Sequence, residues 1–544
     1  MTVLAFVVLA VYTISLLYIT IYCLLQFSLL YHYKRGVDPT DHPVSFAELK
    51  PTKGYTDSLQ EVDSFGGTTR LVRSSPMNVA PARPAHSPYV EPKAGTYYPF
   101  VTVQLPIYNE YYVIGRLIDA VAAFDYPRDR YEIHILDDST DETVGLVADK
   151  VAVYRAKGYQ IEQIIREERQ GYKAGALRDG MEVAQGEFIA IFDADFVPDP
   201  SFLRRTIPHF ANPKVGVVQT RWEHLNQDYS LITRLQALQL NVHFTVEQVG
   251  RMKGGHLLQF NGTAGVWRRA AIEAGGGWQP DTLTEDLDLS IRSQLAGYRI
   301  HYLERVGSPA ELPVEMNSFK SQQHRWMKGG AETARKMLPD VWQSKLGLGH
   351  KVHATAHLLA SSIFLFVFLC GVFSVPLLFL FGELAEFGLN KDVFAVFLIG
   401  LVSVIGIYYV ANVQSVANKE ASFGKSVFKF LFLFPLFLAL SMGLSLHNSV
   451  AVLQGYRGKK SAFVRTPKFN ISSVRDRLTS RKYLSGKLNL ITIGEGLLSI
   501  YFLFAVGAGF YLENTGFVLF HALLALGYGA IFYLSVKHLG MAHS

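Results

Sequence analysis

Residues 187–196 read EFIAIFDADF, a short strand-like run that ends abruptly in two acids. The run at 187–192 is rich in aromatic and β-branched residues, so it predicts a buried strand. Asp193 and Asp195 follow, separated by one alanine. Two carboxylates at this spacing offer hard oxygen ligands that suit Mg²⁺ or Mn²⁺, ions that also take phosphate oxygens. A surface loop with two solvated acids would show the same pattern.

Strand and helix patterns alternate on both sides of this stretch. Predicted strands cover 100–107, 131–136, 160–165, 187–192 and 215–220, and predicted helices cover 110–123, 141–157 and 172–184. Repeated βα units predict a largely parallel sheet, in which ligands bind at the carboxyl ends of the strands. Two more strand ends carry acids, at Asn109-Glu110 and at Asp137-Asp138. The sequence therefore predicts a ligand site at one edge of the sheet.

Two further clusters fall at predicted helix starts. Lys173 lies among glycines, where its ammonium group and free backbone N–H groups can meet a phosphate; a solvated lysine is the alternative. Glu285 and Asp286 follow Thr284, which can cap the helix. Acids also suit the positive end of a helix, so ordinary capping would explain them without any chemistry.

A third cluster lies on one face of a later helix. Gln322, Arg325 and Trp326 are three and four residues apart, so their side chains point the same way. A tryptophan beside an arginine can stack on a sugar ring, or it can staple the domain to a membrane.

Composition excludes several classes of protein. Apolar types make up 49% of the 544 residues and charged types 18%, whereas an average soluble protein has about 25% charged residues. The net charge is only +6, and the two cysteines, Cys23 and Cys370, lie in apolar runs. A disordered chain, a protein that coats nucleic acid and a cysteine-based scaffold are therefore excluded.

Long apolar runs flank the α/β region, and a bilayer core needs about 20 such residues. We predict a transmembrane helix within 1–35, a proline-rich tether over 36–98 and a membrane domain over 351–544. The predicted spans of the membrane domain are 358–381, 393–413, 488–512 and 515–536. The run 430–446 has basic residues on both sides, so it is predicted to be re-entrant or interfacial.

Basic residues dominate the connections 414–429 and 454–487, which predicts that both are cytoplasmic. The expectation is five spans, an external N-terminus, and a cytoplasmic α/β domain and C-terminus. Six spans with a basic external loop are the alternative. The sequence therefore predicts an integral protein of a plasma, inner or Golgi-type membrane. The lipid bilayer is an expected partner, and nucleic acid is not.

Taken in order, these motifs resemble those of the inverting family 2 glycosyltransferases of the cellulose-synthase superfamily. The matching residues are Asp138, Asp193-Ala194-Asp195, Thr284-Glu285-Asp286 and Gln322-x-x-Arg325-Trp326. Phrases such as VQLPIYNE (103–110), GYKAGALRDGM (171–181) and FNGTAGVWR (260–268) are most similar to plant cellulose-synthase-like mannan and glucan synthases of the A and C branches. The similarity covers roughly residues 99–340.

The resemblance implies a fold and a set of site residues. The fold would be an α/β GT-A domain, Rossmann-like and nucleotide-sugar-binding, over 99–315, followed by interface helices over 316–350 and inserted between transmembrane α-helices. Asp286 would be the general base, with Asp138 also catalytic, and Asp193 and Asp195 would hold Mg²⁺ or Mn²⁺. The implied binding site for a UDP- or GDP-hexose comprises Glu110, Asp137, Asp138, Lys173 and Asp193. The implied acceptor site comprises Asn261, Thr263, Glu285, Gln322, Arg325 and Trp326.

The segment 455–470 resembles the family's gating loop through Phe463, Thr466 and Lys468. The chain departs from the family at Arg465, where valine is usual, and at Phe196, where bacterial cellulose synthases have histidine. The second departure weakens any specific assignment to cellulose.

The function implied by the resemblance is transfer of a hexose to a growing β-glycan of glucan, mannan or glucomannan type, with translocation through the membrane helices. The alternative is a non-processive enzyme that adds one sugar to a membrane lipid, so the acceptor is a glycan or a lipid. A transporter with a nucleotide-sensing domain is a rival from another class, because Glu495 lies inside a predicted span.

Overall fold

A mixed sheet forms the centre of the computed structural model, which describes residues 3–36, 46–49, 71–73, 97–386, 396–418, 422–461, 465–471 and 488–543. The strands are β1 Leu71–Arg73, β2 Val101–Ile107, β3 Tyr131–Asp137, β4 Ile161–Arg166, β5 Phe188–Ile191, β6 Val215–His224, β7 Gly265–Arg268 and β8 Arg299–Ala310. Across the sheet they stand in the order β1-β4-β3-β2-β5-β7-β6-β8.

Four central strands bring the predicted acids together. β4, β3, β2 and β5 are parallel neighbours, and β2 pairs with β3 from Val101 opposite Tyr131 to Ile107 opposite Asp137. Because these strands end at the same edge, the residues that follow β2, β3 and β5 meet there.

The sheet is less parallel than the sequence pattern predicts. β7 is antiparallel to β5 and β6, and β1 is antiparallel to β4. β7 has four residues and β1 has three, which is too short for an alternating pattern to reveal them. The predicted fold class, an α/β domain between apolar helices, is confirmed.

Helices cover both faces of the sheet. On one face, the side chains of Val103 and Ile133 pack against Ile118 of an amphipathic helix. On the other face, Leu136 packs with Leu177, since successive strand residues point to opposite sides. The helices of this region are Ile114–Ala122, Thr143–Ala156, Tyr172–Val183, Phe202–Thr206, Leu231–Val242, Gln248–Lys253, Arg269–Ala274, Glu285–Leu295, Met316–Gln343 and Leu348–Leu358.

Apolar helices precede and follow the α/β region. Within the described residues, five are long and apolar enough to cross a bilayer: Val3–Arg35, Ala360–Leu384, Phe423–Gly443, Leu490–Tyr511 and Thr515–Leu539. A shorter apolar helix covers Leu398–Gln414. These helices make the chain an integral membrane protein.

One long helix differs in extent from its prediction. Residues 430–443 of the run 430–446 belong to the helix Phe423–Gly443, which has enough apolar residues to span. It is followed after one residue by the helix Ser445–Tyr456. Leu444, which links them, keeps right-handed helical backbone angles, and Gly443 packs against the backbone of Gly527 with no room for a Cβ.

Both ends of this helix pair contact the α/β side of the molecule. Near the first end, the Lys429 ammonium lies 3.7 Å from the Asp228 carboxylate. Near the other end, the Gln454 amide contacts the His324 ring at 3.2 Å. The re-entrant or interfacial placement of 430–446 stays a prediction.

A buried ion pair joins the interface helix to the membrane helices. The ammonium group of Lys320 lies 2.7 Å from the carboxylate of Glu495, and both side chains are almost fully buried. Lys320 also donates to the hydroxyl of Thr492 at 3.2 Å. Glu495 therefore anchors the interface helix, which accounts for the intramembrane charge without a transport role.

Candidate active site

A cavity of about 200 Å³ opens at the carboxyl ends of β2, β3 and β5. The start of helix Glu285–Leu295 forms one wall, while helix Met316–Gln343 and the segment 465–471 cover it. Of the predicted site residues, the cavity is lined by Glu110, Asp138, Lys173, Asp193, Asp195, Asn261, Glu285, Asp286, Gln322, Arg325, Trp326, Thr466 and Lys468. Motifs up to 358 residues apart, from 110 to 468, thus share one space.

Asp138 is held at the rim by arginines. The Arg166 guanidinium donates to both carboxylate oxygens of Asp138, at 2.6 and 2.9 Å. Arg169 lies 3.7 Å from the same carboxylate and stacks on the Tyr108 ring, with 3.5 Å to the ring centroid. This part of the cavity combines a fixed acid, a guanidinium and an aromatic ring, which suits a nucleotide base and its phosphates.

Two of the predicted residues that the structure describes do not line the cavity. Asp137 is 1% exposed, and its carboxylate accepts hydrogen bonds from Ser139 N–H and from the Gln163 amide. Adjacent residues at a strand end point to opposite faces, so only Asp138 faces the cavity. Thr263 is fully buried, and its hydroxyl accepts from the Asp193 N–H at 2.8 Å. Thr263 therefore helps to position Asp193, whereas Asp137 bonds to residues outside the cavity lining.

Each acid of the Asp-Ala-Asp triplet contacts one lysine. The Asp193 carboxylate lies 2.5 Å from the Lys173 ammonium, and the Asp195 carboxylate lies 2.7 Å from the Lys468 ammonium. Burial raises the pKa of Glu110 to about 8, and both triplet acids add to the effect while Arg465 opposes it. The three carboxylates are therefore close enough to repel one another, which is the environment that a divalent cation relieves.

The donor set also fits a divalent cation. Among the described residues, no group of three or more His, Cys, Asp or Glu side chains is arranged to hold a metal ion. Magnesium commonly binds through one or two carboxylates and completes its coordination with water and substrate phosphates. Asp193 and Asp195 match that pattern.

Lys173 connects Asp193 to the segment 261–263, which is predicted to bind the acceptor. Its ammonium group donates to the carbonyl of Gly262 at 2.9 Å as well as to Asp193. Burial opposes the charged form, but the carboxylates of Asp193 and Glu285 outweigh burial and raise the pKa of Lys173. The lysine thus stays charged at the centre of the cavity.

Asp286 has the properties of a general base. Burial and the neighbouring carboxyl of Glu285 together raise the pKa of Asp286 to about 7, and Lys173 opposes both. Burial also raises the pKa of Glu285. A base whose pKa lies near the working pH accepts a proton most effectively.

The predicted cap of this helix is absent. Thr284 precedes the helix Glu285–Leu295, but its side chain makes no capping hydrogen bond. Instead its hydroxyl lies 3.0 Å from the Thr333 hydroxyl on the interface helix. Capping by Thr284 therefore does not explain the acids that follow.

The residues predicted to bind the acceptor lie beneath the interface helix. Gln322, Arg325 and Trp326 all line the cavity, as their spacing predicts. Asn261 contacts the His243 ring at 2.7 Å, and its amide nitrogen has no hydrogen-bond partner within the described part of the chain. An amide donor and an indole ring thus face one space, which suits a sugar with hydroxyl groups and an apolar face.

The segment 465–471 closes the cavity. The Arg465 guanidinium lies 2.8 Å from the Glu110 carboxylate, and Arg325 donates to the Thr466 hydroxyl at 3.1 Å. Lys468 contacts the carbonyl of Glu311 in addition to Asp195. Phe463, predicted as part of the gating loop, lies outside the described residues.

Some cavity residues escaped the sequence prediction. Glu311 accepts from the Phe469 N–H at 2.9 Å and from Arg116 at 3.3 Å, so it anchors the closing segment. It lies at the end of β8, and recognition of that strand would have marked it as a further acid at a strand end.

Phe196 is buried and packs edge-on against Trp222, at 5.3 Å between ring centroids, which explains its apolar character.

Comparison with known proteins agrees with this geometry. Residues 99–329 match the family model described as "Glycosyltransferase like family 2". The chain is 44% identical over 270 residues to glucomannan 4-beta-mannosyltransferase 1 of Oryza sativa subsp. japonica, covering 48% of this chain and 52% of that protein. It is 37% identical over 372 residues to the probable glucomannan 4-beta-mannosyltransferase 4 of the same organism, covering 66% and 63%. The chain thus spans about half to under two thirds of the length of the curated relatives it matches.

Among solved structures, a mannosyltransferase from Pyrobaculum calidifontis in complex with GDP-Man and Mn²⁺ matches with a TM-score of 0.44 and 21% identity. That match covers 74% of this chain and 100% of the other chain. The predicted resemblance is confirmed by the family model and the curated relatives: this chain contains a glycosyltransferase domain of family 2, spanning residues 99–329.

Proposed function

We propose that this protein transfers a hexose from a nucleotide sugar to a growing β-linked glycan of mannan or glucomannan type. The observation that carries the proposal is the convergence of Asp138, Asp193, Asp195, Asp286 and Trp326 on one cavity. The names of the relatives make mannose the first sugar to test.

The proposed reaction is a single in-line displacement. The carboxylate of Asp286 takes the proton from the acceptor hydroxyl, whose oxygen attacks the anomeric carbon of the donor. The bond from that carbon to the diphosphate oxygen breaks, and the nucleoside diphosphate leaves. An α-linked donor then gives a β-linked product.

Asp193 and Asp195 would hold Mg²⁺ or Mn²⁺, which when bound neutralises the charge of the departing diphosphate. Lys173 and Arg169, both of which line the cavity, add positive charge on the donor side. Lys468 would pass from Asp195 to a phosphate oxygen of a donor bound beneath the segment 465–471. That segment would thus act as a gate that exchanges protein carboxylates for substrate phosphates.

The membrane helices would carry the product across the bilayer. The cavity lies under the interface helix, which Lys320 and Glu495 tie to the helix Leu490–Tyr511. The basic connections argue for a cytoplasmic catalytic domain and C-terminus, in a plasma, inner or Golgi-type membrane. A single helix would be enough to anchor an enzyme that only modifies lipids.

A donor panel tests the proposed function. The purified chain is supplied with labelled GDP-mannose, GDP-glucose, UDP-glucose and UDP-GlcNAc in turn, with Mn²⁺ or Mg²⁺, and the products are sized. We expect GDP-mannose to give a polymer that an endo-β-mannanase digests. A single-sugar product that extracts into organic solvent, with no polymer, would favour the lipid-modifying alternative.

Replacing Trp326 with alanine should shorten the product. The indole ring covers the apolar face of the terminal sugar, so its loss weakens the hold on the glycan between additions. We expect short oligomers in place of polymer, with donor binding within a few-fold of wild type. Trp342 is a matched control, because it lies on the same helix but does not line the cavity. Full-length polymer from Trp326→Ala would contradict the assigned role.

A further inference from the structure

A π-helical turn, His243–Glu247, lies between the helices Leu231–Val242 and Gln248–Lys253. Turns of this kind are rare, and many of them occur at functional sites. None of the five residues of this turn lines the active-site cavity. His243 nevertheless contacts Asn261, which does line it, so the turn can act on the site through that residue.

The ring of His243 lies between two polar groups. Its Nδ1 atom is 3.0 Å from the Glu247 carboxylate, and its Nε2 atom is 2.7 Å from the Asn261 amide oxygen. The Arg251 guanidinium donates to the same carboxylate oxygen of Glu247 at 3.3 Å. Burial opposes ionisation of Glu247, but Arg251 and His243 outweigh burial and lower the pKa of this carboxyl to about 2. An ionised carboxylate only accepts hydrogen bonds, so the Nδ1 atom of His243 carries a proton and donates it.

The contact at Nε2 fixes which end of the Asn261 amide faces the ring. An amide oxygen is an acceptor, so Nε2 must donate as well, and the ring carries both protons in this arrangement. The amide nitrogen of Asn261 is then the end that is turned away from the ring. It is buried, and it has no hydrogen-bond partner among the residues that the structure describes. A buried donor without a partner is costly, and a ligand that accepts its hydrogen bond removes that cost.

Asn261 also lies close to the proposed general base. The next residue, Gly262, is so near Asp286 that a Cβ atom built on it would lie 3.0 Å from a carboxylate oxygen. The backbone N–H of Asn261 donates to the Gln219 side chain at 3.0 Å, which fixes the position of this segment. A sugar whose hydroxyl group reaches Asp286 therefore comes close to the amide of Asn261.

We propose that His243 is a positioning residue for the acceptor, because it holds the Asn261 amide with its NH₂ group toward the acceptor sugar. Glu247 and Arg251 hold the ring of His243 in turn. The NH₂ group donates to an oxygen of the sugar and orients it beside Asp286. This role rests on the proposed function, transfer to a sugar acceptor, and adds to it the contact by which the protein orients that sugar.

Acceptor and donor kinetics of the full chain in detergent test this role, with β-1,4-linked mannohexaose and glucohexaose as acceptor probes. His243→Phe keeps a ring but donates no hydrogen bond, so acceptor KM should rise about fivefold or more, while donor Kd and hydrolysis of the donor by water stay within about twofold of wild type. In an Asn261→Ala background the same substitution should leave acceptor KM unchanged, because its effect passes through Asn261. His134→Phe is the matched control: this buried histidine also contacts a carboxylate, that of Glu132 at 3.1 Å, but it does not line the cavity.

Asn261→Asp tests the orientation of the amide. The carboxylate keeps the hydrogen bond from His243 but has no N–H to give to the sugar, so acceptor KM should rise as much as in Asn261→Ala. A wild-type acceptor KM in Asn261→Asp would mean that an oxygen faces the acceptor, which would overturn the assigned orientation. Where His243→Phe does not fold, Glu247→Gln takes its place, because it loosens the hold on the ring without removing the ring.

Three other results would overturn the proposal: an unchanged acceptor KM in His243→Phe, a further rise when His243→Phe is added to Asn261→Ala, or an equal rise in His134→Phe. Failure of the proposed function is recognised separately, since the wild-type protein would then elongate neither hexasaccharide. Thermal unfolding decides the link between His243 and Asn261 in that case. The two substitutions together should lower Tm by less than the sum of their separate effects, and strictly additive losses would refute the link.

Discussion

Asp286→Asn lowers kcat by roughly 10²- to 10⁴-fold and leaves donor affinity within a few-fold of wild type; this is the result that we expect from the loss of a general base. Asparagine keeps the shape of the side chain but cannot accept the proton of the acceptor hydroxyl. The measurements are the initial rate of transfer from a labelled donor and the donor Kd by calorimetry. Donor hydrolysis by water should fall in parallel.

The matched control is Asp281→Asn. This acid lies five residues earlier, is exposed and does not line the cavity, so its neutralisation should leave kcat unchanged. A wild-type kcat for Asp286→Asn would remove Asp286 from the mechanism and direct attention to Glu285.

The pH profile gives an independent check on the same residue. Asp286 must be deprotonated to act, and its pKa is raised to about 7, so kcat should rise with pH through this region and level off above it. Glu285→Gln removes the neighbouring negative charge that adds to the raised pKa of Asp286. The midpoint of the profile should then move to lower pH. A purely structural role for Asp286 would leave the midpoint in place.

The strand-end acids could be predicted because the sheet brings them together. The runs before Glu110, Asp138 and Asp193 alternate with helices, and parallel strands end at one edge. The same argument could not separate Asp137 from Asp138, because which of two adjacent acids faces a cavity depends on where the strand pattern ends. In the structure Asp137 is buried and accepts a hydrogen bond from the Gln163 amide, so Asp138 is the acid that faces the cavity.

The sequence patterns could not predict contacts between residues that are far apart in the chain. The contact between Lys468 and Asp195 joins residues 273 positions apart, and nothing in either local sequence indicates the other. The helix Phe423–Gly443 presents a similar difficulty. Its length and composition fit a span, while Lys429, and Gln454 of the following helix, both contact residues of the α/β region or its interface helix. A hydropathy pattern gives the length of an apolar segment but does not tell whether that segment crosses the membrane.

Chelation should abolish transfer, and Mn²⁺ or Mg²⁺ should restore it. Asp195→Asn should lower kcat/KM by at least about 10³-fold at a fixed metal concentration, because a metal clamp on a leaving diphosphate contributes several kcal/mol and each 1.36 kcal/mol is a factor of ten. Asp199→Asn is the matched control, since this exposed acid lies four residues later and outside the cavity. Full activity in the presence of EDTA would refute the metal assignment.

A measurement of metal binding should show whether Lys468 of the segment 465–471 competes with the metal for Asp195. The Lys468 ammonium lies 2.7 Å from the Asp195 carboxylate and so occupies a group that the proposed metal would need. Lys468→Met should therefore bind Mn²⁺ more tightly than wild type when no donor is present, as measured by electron paramagnetic resonance of free Mn²⁺. With donor bound the same variant should lose activity, because the lysine then no longer reaches the phosphate. Tighter metal binding together with slower transfer is a combination that loss of folding does not produce. Weaker Mn²⁺ binding in Lys468→Met would mean that the lysine supports the metal site and does not compete for it.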